Sequence, residues 1–386
     1  MNIFEMPQKL VYGKDALKNL GDCAKQHGDK VLIVSDQVME KLGYLDTITK
    51  NLEQAGLQTV SYLGANTEPS DIYVDEALTL FNDNQCEVIV TVGGGSCIDT
   101  AKAVAVVATN GGYIGDYMKD KIATKAPVPL IAIPTTAGTG SEVTDVTVIN
   151  DTTHHIKMMI KQSAFLPKVA LVDPALTLTS PQNVTAATGL DALCHSMESY
   201  FSRKAQPMTQ TFSLAAIEKI MSYLEQAYQD GSNFEARNAM SLAATQAGLA
   251  FSNASVTLIH GMSRPIGSLF HVPHGISNAM LLPAVLDYTR DAAIEPLSEI
   301  QHHLHPEETG TSAELADRFI QSVKELCQKL AIPNLKDWGI EEKAFEDALD
   351  KMAEDALASG SPSNNPKIPT HDEIVELYRI CYTYKY

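Results

Sequence analysis

The sequence predicts two domains of different class, an N-terminal α/β domain built on a parallel sheet and a C-terminal domain made only of helices. Three observations carry this. The first half alternates short continuous apolar runs with longer amphipathic stretches, the pattern of a parallel sheet covered by helices on both faces. Strand signals nearly vanish after Ser180-Pro181. The length, 386 residues, exceeds the roughly 250–300 residues that one core usually serves. The boundaries drawn from this are 1–180 and 181–386, with a cleft between the two as the expected place for a ligand.

Five strands follow in order. Val31–Ser35 (VLIVS) ends at Asp36, and Thr59–Leu63 is second. Val88–Val92 (VIVTV) runs straight into Gly93-Gly94-Gly95, Leu130–Ile133 is fourth, and Val169–Val172 (VALV) is fifth. Helical patterns such as Val74–Asn82 and Asp99–Thr109 lie between them. Val143–Met159 alternates in the antiparallel manner and predicts a hairpin-like excursion. Ser180 is then a helix cap with Pro181 at the first helical position. Helical periodicity covers Thr185–Phe201, Gln210–Tyr228, Ala236–Ala250, Ala313–Leu330, Glu342–Leu357 and His371–Tyr382, and Gly360–Thr370 is a loop.

The formal charge of −18, with no basic run, argues against nucleic acid or anionic membrane as a partner. Cys23, Cys86, Cys97, Cys194, Cys327 and Cys381 form no C-x-x-C pair and are too sparse for a disulfide framework, so free thiols in a reducing compartment are expected. The first residues hold no long apolar signal core, and the longest apolar stretch, Ala279–Leu286, is far too short to span a bilayer. The cytoplasm is the expected location.

Gly93-Gly94-Gly95-Ser96 follows a strand and precedes a helix. Backbone amides at a helix N-terminus suit a pyrophosphate, and glycine admits close approach. Asp99 falls near the helix start and is expected to organise the turn without touching phosphate. Ile98 breaks the G-x-G-x-x-G pattern, so the turn alone fits a nucleotide site or a structural turn equally. Asp36 at a strand end suits a ribose 2′-hydroxyl and would repel a 2′-phosphate, or it caps the helix of Gln37–Lys41. The loop from Thr135 and Thr136 to Glu142 clusters hydroxyls and glycines after a buried strand.

The strongest signal lies in the helical half. Asp191 and His195, four apart in TAATGLDALCHSMESYF, share one helix face among apolar neighbours. His260 in LIHGMSRP and His274 in FHVPHG sit in short segments punctuated by Gly and Pro. A lone Asp/His pair is more often a salt bridge than a metal site. Together, though, one carboxylate and three imidazoles form a first shell that suits Fe²⁺ or Zn²⁺ better than Mg²⁺ or Cu⁺.

With these residues assembled, the chain resembles the iron-containing (group III) alcohol dehydrogenase family, in the branch of lactaldehyde reductase and 1,3-propanediol dehydrogenase. The motifs GGGSCIDTAKA, PTTAGTGSEVT, GLDALCHSMESY, FSNASVTLIHGMS and VPHGISNAMLLP carry the resemblance, in order and over essentially the whole length. It implies a dehydroquinate synthase-like fold, with a Rossmann-like dinucleotide domain followed by a helical metal domain. It implies a metal-dependent dehydrogenase that moves a hydride between NAD(H) and a small primary alcohol or aldehyde, with Fe²⁺ as the metal and Zn²⁺ as the alternative. It implies Asp191, His195, His260 and His274 as metal ligands, Asp36 on the adenosine ribose, Gly94, Gly95 and Ser96 on the pyrophosphate, Thr135 and Thr136 near the nicotinamide half, Lys157 on the nicotinamide ribose, and Phe251 as a wall of the substrate pocket. Relatives are commonly dimers or larger, with the N-terminal region in the contact.

The sequence departs from many relatives four residues after His260, where Arg264 replaces a histidine. Arginine keeps its proton and cannot act as a base, which leaves His271 or a water chain to release the proton. Val146 stands at a pocket position that is polar in diol-preferring relatives, which favours apolar primary alcohols over diols. Glycerol dehydrogenase, a propanediol-type diol dehydrogenase and maleylacetate reductase are the neighbouring alternatives. From other classes come a dehydroquinate synthase-like lyase and a non-catalytic nucleotide- or metal-binding protein.

Overall fold

The computed structural model describes residues 1–154 and 156–386. It resolves into two compact units, Glu5–Ser180 and Pro181–Tyr386, the latter joined by Met1–Phe4. Those first residues belong with the helices because Gln206 Nε2 donates to the Ile3 carbonyl at 3.0 Å and the Phe4 ring stacks on Phe212 at 5.6 Å.

The first unit holds a six-stranded sheet of β1 (Lys9–Tyr12), β2 (Lys30–Val34), β3 (Gln58–Tyr62), β4 (Val88–Gly93), β5 (Leu130–Pro134) and β8 (Val169–Val172). The order is β1-β8-β5-β4-β2-β3 and every pairing is parallel. Its helices are α1 (Leu20–Lys25), α2 (Gln37–Lys41), α3 (Tyr44–Gln54), α4 (Asp71–Asp83) and α5 (Gly95–Asn110). Alternate residues of β2 go to opposite faces. Leu32 and Val34 pack with Val74, Val104 and Val107 of α4 and α5, whereas Val31 and Ile33 pack with Cys23, Ile48 and Leu52 of α1 and α3. Both faces are therefore covered, which is why β4 is buried along its whole length and nearly all apolar.

Strand β1 escaped the sequence reading because KLVY is four residues long and only partly buried at the sheet edge. The expected excursion is an antiparallel pair of β6 (Val146–Asp151) and β7 (Ile156–Lys161), Val146 facing Lys161. Residue 155, inside the interval assigned to that hairpin, lies outside the described residues.

The second unit comprises α6 (Gln182–Phe201), α7 (Pro207–Gln229), α8 (Phe234–Asn253), α9 (Leu258–Phe270), α10 (His274–Thr289), α11 (Ile294–Leu304), α12 (Ser312–Lys329), α13 (Leu335–Trp338), α14 (Glu342–Ala358) and α15 (His371–Tyr382). Pro181 is the cap of α6 and not its first residue. The Gly- and Pro-punctuated segments around His260 and His274 are helical. Pro265 and Pro283 lie inside α9 and α10. Each proline removes one backbone bond, but Leu258–Ser263 and Ile276–Leu286 are buried throughout, and packing overrides the local penalty. Among the described residues no helix is long and apolar enough to cross a membrane.

Candidate metal centre and nucleotide site

Helix α6 is buried almost all round, so any polar side chain on it must find a partner within the protein. Asp191, His195 and Glu198 project from it at intervals of four and three residues, along one stripe. His260 enters from the first turn of α9, and His274 is the first residue of α10. The start of α10 lies hard against α6. A Cβ on Gly275 would stand 2.6 Å from the Ala187 carbonyl oxygen, so only glycine lets His274 come this close.

These elements bring Asp191, His195, His260 and His274 together, one ligand atom of each lying within 4.8 Å of all the others. Asp191 Oδ1 is 3.5 Å from His260 Nε2, 3.6 Å from His274 Nε2 and 3.9 Å from His195 Nε2. Four donors around an ion at 2.0–2.1 Å would stand roughly 3.4 Å apart, so the cage is close to the right size. Salt bridging does not explain the arrangement. The His195 and His260 rings stack with centroids 4.5 Å apart, and His260 and His274 are 5.4 Å apart. Three imidazolium charges so close would repel one another, whereas three neutral imidazoles and a carboxylate suit a divalent cation. Phe251 stacks on His195 at 4.2 Å and 16°. The His274 side chain is 38% exposed while the other three are at most 6% exposed, so the cage opens on the His274 side.

Sequence reasoning missed Glu198. Its Oε1 accepts from Ile259 N at 2.7 Å and Thr257 Oγ1 at 2.9 Å, and its Oε2 meets His260 Nδ1. The fully buried carboxylate thus caps the N-terminus of α9 and fixes His260 with Nε2 toward the cage. Burial alone would discharge these groups, but their mutual attraction wins. It holds Asp191 and Glu198 below the usual carboxylate range and pushes His260 up. The signal was a carboxylate in a helix with no exposed face. Arg264 lies one turn along α9 from His260, where burial lowers its pKa and the charge of Glu198 opposes the shift. His271 ends α9 in the left-handed region at φ 54°, with its side chain exposed, and the structure does not bring it into the cage.

In the first unit the chain order along the sheet reverses between β2 and β4, the usual crevice for a nucleotide at the carboxyl ends of parallel strands. Asp36 follows β2 there, and Gly94 follows β4. Gly93 has φ +153° and a Cβ on it would stand 2.5 Å from Cys97 Sγ, so the turn requires glycine. At Gly94 the nearest atom to a Cβ is Thr136 Cγ2 at 3.8 Å, which leaves the backbone at the start of the 16-residue α5 open to a phosphate. The other loop docks on this turn through Thr135 N, which donates to the Gly93 carbonyl at 3.0 Å. Asp36 Oδ1 accepts from Val38 N at 2.7 Å and Met39 N at 2.9 Å, so it caps α2, and Cys97 Sγ stands 3.4 Å from Oδ2. Lys157 pairs with Glu68 at 3.0 Å.

Asp99 sits in the second turn of α5, partly buried. It accepts from Ser141 Oγ at 2.6 Å and Val148 N at 2.9 Å, and so ties the 135–142 loop and the hairpin to the helix. Lys102, one turn on and also missed from sequence, donates to Thr144 Oγ1 at 2.9 Å and the Val146 carbonyl at 2.8 Å with no exposed surface. Burial lowers its pKa to about 8 against the pull of Asp99, Asp145 and Glu142.

With this geometry in view, comparison with known proteins is direct. Residues 7–174 match the family model for iron-containing alcohol dehydrogenase, and residues 185–382 match that for the C-terminal part of the Fe-containing alcohol dehydrogenase family. The chain is 36% identical to the NAD-dependent methanol dehydrogenase of Bacillus methanolicus, over 98% of this chain and 99% of that one. It is also 36% identical to the 1,3-propanediol dehydrogenase of Citrobacter freundii, over 97% of each. A crystal structure of 1,3-propanediol oxidoreductase superposes with a TM-score of 0.95 at 35% identity, over 99% of this chain and 100% of that one.

Proposed function

The chain belongs to the iron-containing alcohol dehydrogenase family, and from that membership we infer a metal-dependent enzyme that transfers a hydride between NAD(H) and a small primary alcohol or aldehyde. The observation that carries this reading in the molecule itself is the cage of Asp191, His195, His260 and His274. Three neutral nitrogens and one carboxylate oxygen fit Fe²⁺, with Zn²⁺ as the alternative. Once bound, the divalent ion supplies Lewis acidity to the substrate oxygen.

The chain's own residues do the rest. Glu198 holds His260 through Nδ1 and so leaves Nε2 to the cage, where it would ligate the metal. Phe251 covers His195 and walls the substrate pocket. Gly94, Gly95 and Ser96 hold the pyrophosphate, with Asp99 bracing the turn. Asp36 accepts from the adenosine ribose, Thr135 and Thr136 meet the nicotinamide half, and Lys157 exchanges Glu68 for the nicotinamide ribose. Glu5–Ser180 is the nucleotide unit and Pro181–Tyr386 the metal unit. Because Arg264 holds its proton, His271 or a water chain accepts the proton that the alcohol releases. Val146 favours apolar alcohols over diols.

We further place the enzyme in the cytoplasm as a homodimer or larger. Its six cysteines are all free and buried, the edge strand β1 leaves Tyr12 60% exposed, and Met6 is exposed as well. Light scattering on the purified protein would return a monomer mass if the oligomer reading were wrong.

The test is an NADH absorbance assay on protein purified without oxygen, with and without Fe²⁺ or Zn²⁺. The panel is C2–C6 alcohols, 1,2- and 1,3-propanediol and glycerol. Metal-dependent NADH formation is expected, with 1-propanol and butanol ahead of 1,2-propanediol. Silence in both directions with a filled metal site would overturn the reading. The same assay across pH on His271→Ala decides the proton route, because an unchanged rate and profile would remove His271 from it.

A further inference from the structure

Asn278 lies on α10 four residues after His274, on the same face of the helix, and is fully buried. Its Nδ2 is 2.7 Å from Asp191 Oδ1, 3.1 Å from His260 Nε2 and 3.3 Å from His274 Nε2. Those are three of the four atoms that converge as ligands. The other end of the amide, Oδ1, is buried and has no hydrogen-bond partner among the described residues. Buried carbonyl oxygens are rarely left so. The amide is therefore turned with its donor end to the cage at the expense of its acceptor end. Asp191 dictates this, because the reverse orientation would set two oxygens against each other at 2.7 Å.

We propose that Asn278 is a positioning residue of the metal centre. Its amide draws three of the four ligand atoms together before the metal arrives, and it stays on Asp191 once the metal is bound. This rests on the reading of the cage given above. An amide nitrogen has two N–H groups and cannot serve three acceptors fully, so it bridges them as a weak, neutral stand-in for a cation. An imidazole nitrogen has a single lone pair, so ligation by His260 and His274 ends their contact with Nδ2. A carboxylate oxygen has two, so Asp191 Oδ1 can serve the metal and Nδ2 together. The bond that survives holds Asp191 to one orientation, as partners behind a ligand do.

The experiment strips metal from the full-length protein and titrates it with Co²⁺, reading the visible spectrum, for the wild type, Asn278→Leu and Asn278→Ala. A chelator competition gives the affinities. Leu removes the donors at similar size and Ala leaves room for water, so affinity falls by about 10–100-fold for Leu and less for Ala. The cobalt spectrum changes shape in both as Asp191 gains freedom. A crystal structure of the cobalt-loaded wild type, which needs no variant to fold, is expected to show Nδ2 still on Asp191 Oδ1 and clear of both Nε2 atoms. Unchanged affinity and spectrum in both variants, or an amide that has left Asp191 in that crystal, overturns the proposal while the metal reading stands. A wild type that takes up no Co²⁺ overturns both.

Discussion

The metal cage and the glycine turn are built in opposite ways. The cage is made of side chains, delivered by three buried helices whose packing fixes each rotamer. The turn is made of backbone, delivered by strand ends where glycine opens the chain to a ligand. Each is nevertheless backed by one fully buried charge, Glu198 bonded to His260 in the helices and Lys102 bonded to Thr144 and Val146 where the hairpin meets α5. A buried charge is costly unless it is bonded, and both have partners: Glu198 caps α9 and holds His260, while Lys102 and Asp99 pin the loop and hairpin to α5. The difference teaches where each site is fragile. The cage fails when a side chain is lost, and the turn fails when its scaffold loosens.

The largest effect is expected from His260→Ala. Losing a partner behind a ligand costs about 10–100-fold in metal affinity, so losing the ligand itself should cost more and remove nearly all turnover. Metal content by elemental analysis and NADH formation measure this, and NAD binding to the same variant is expected to persist. Full metal content with full activity would break the assignment of the cage.

Next comes Lys102→Met, which removes one of the two cations that act on Asp99 and takes the Lys102 donor from Thr144 Oγ1 and the Val146 carbonyl. Destabilisation of about 1–3 kcal/mol is expected from the buried partners left unsatisfied, read from denaturant unfolding. The sign of the pH effect sharpens this. Folding lowers the Lys102 pKa to about 8 from its ordinary 10.5, so between these values the unfolded chain binds more protons and stability rises with pH. The wild type should gain stability across that window, and the variant should lack this contribution. Metal uptake is the control, and its loss would mean that the scaffold under the turn also supports the cage.

The same contrast explains what was legible in the sequence. Central strands announce themselves as apolar runs because both faces are covered, whereas β1 at the edge does not. Asp191, His195, His260 and His274 stand out because few residue types can hold a transition metal, so chemistry narrows the choice before geometry does. Helices α9 and α10 were hidden by Gly and Pro, whose local penalties tertiary packing outweighs. Glu198, Asn278 and Lys102 were illegible for a different reason. Each is an ordinary polar residue at an ordinary helical position, and only the neighbouring elements that the fold sets against it give it a role.

The smallest effect decides between the two readings of Asp36. As a cap it needs only an oxygen acceptor for Val38 N and Met39 N, and serine caps about as well as aspartate. As a ribose partner it needs its charge, which would repel a 2′-phosphate by about 1–4 kcal/mol at 4 Å, depending on screening. Asp36→Ser therefore separates the roles: stability is expected to hold within about 0.5 kcal/mol, while the ratio of kcat/KM for NADPH over NADH rises on the order of 10-fold. A ratio that stays put in Asp36→Ser, alongside a loss of about 1 kcal/mol in Asp36→Ala, would leave Asp36 as a helix cap alone. Cofactor choice would then lie with other residues of the turn, and the glycine site would be still more purely a backbone device than the cage it is compared with.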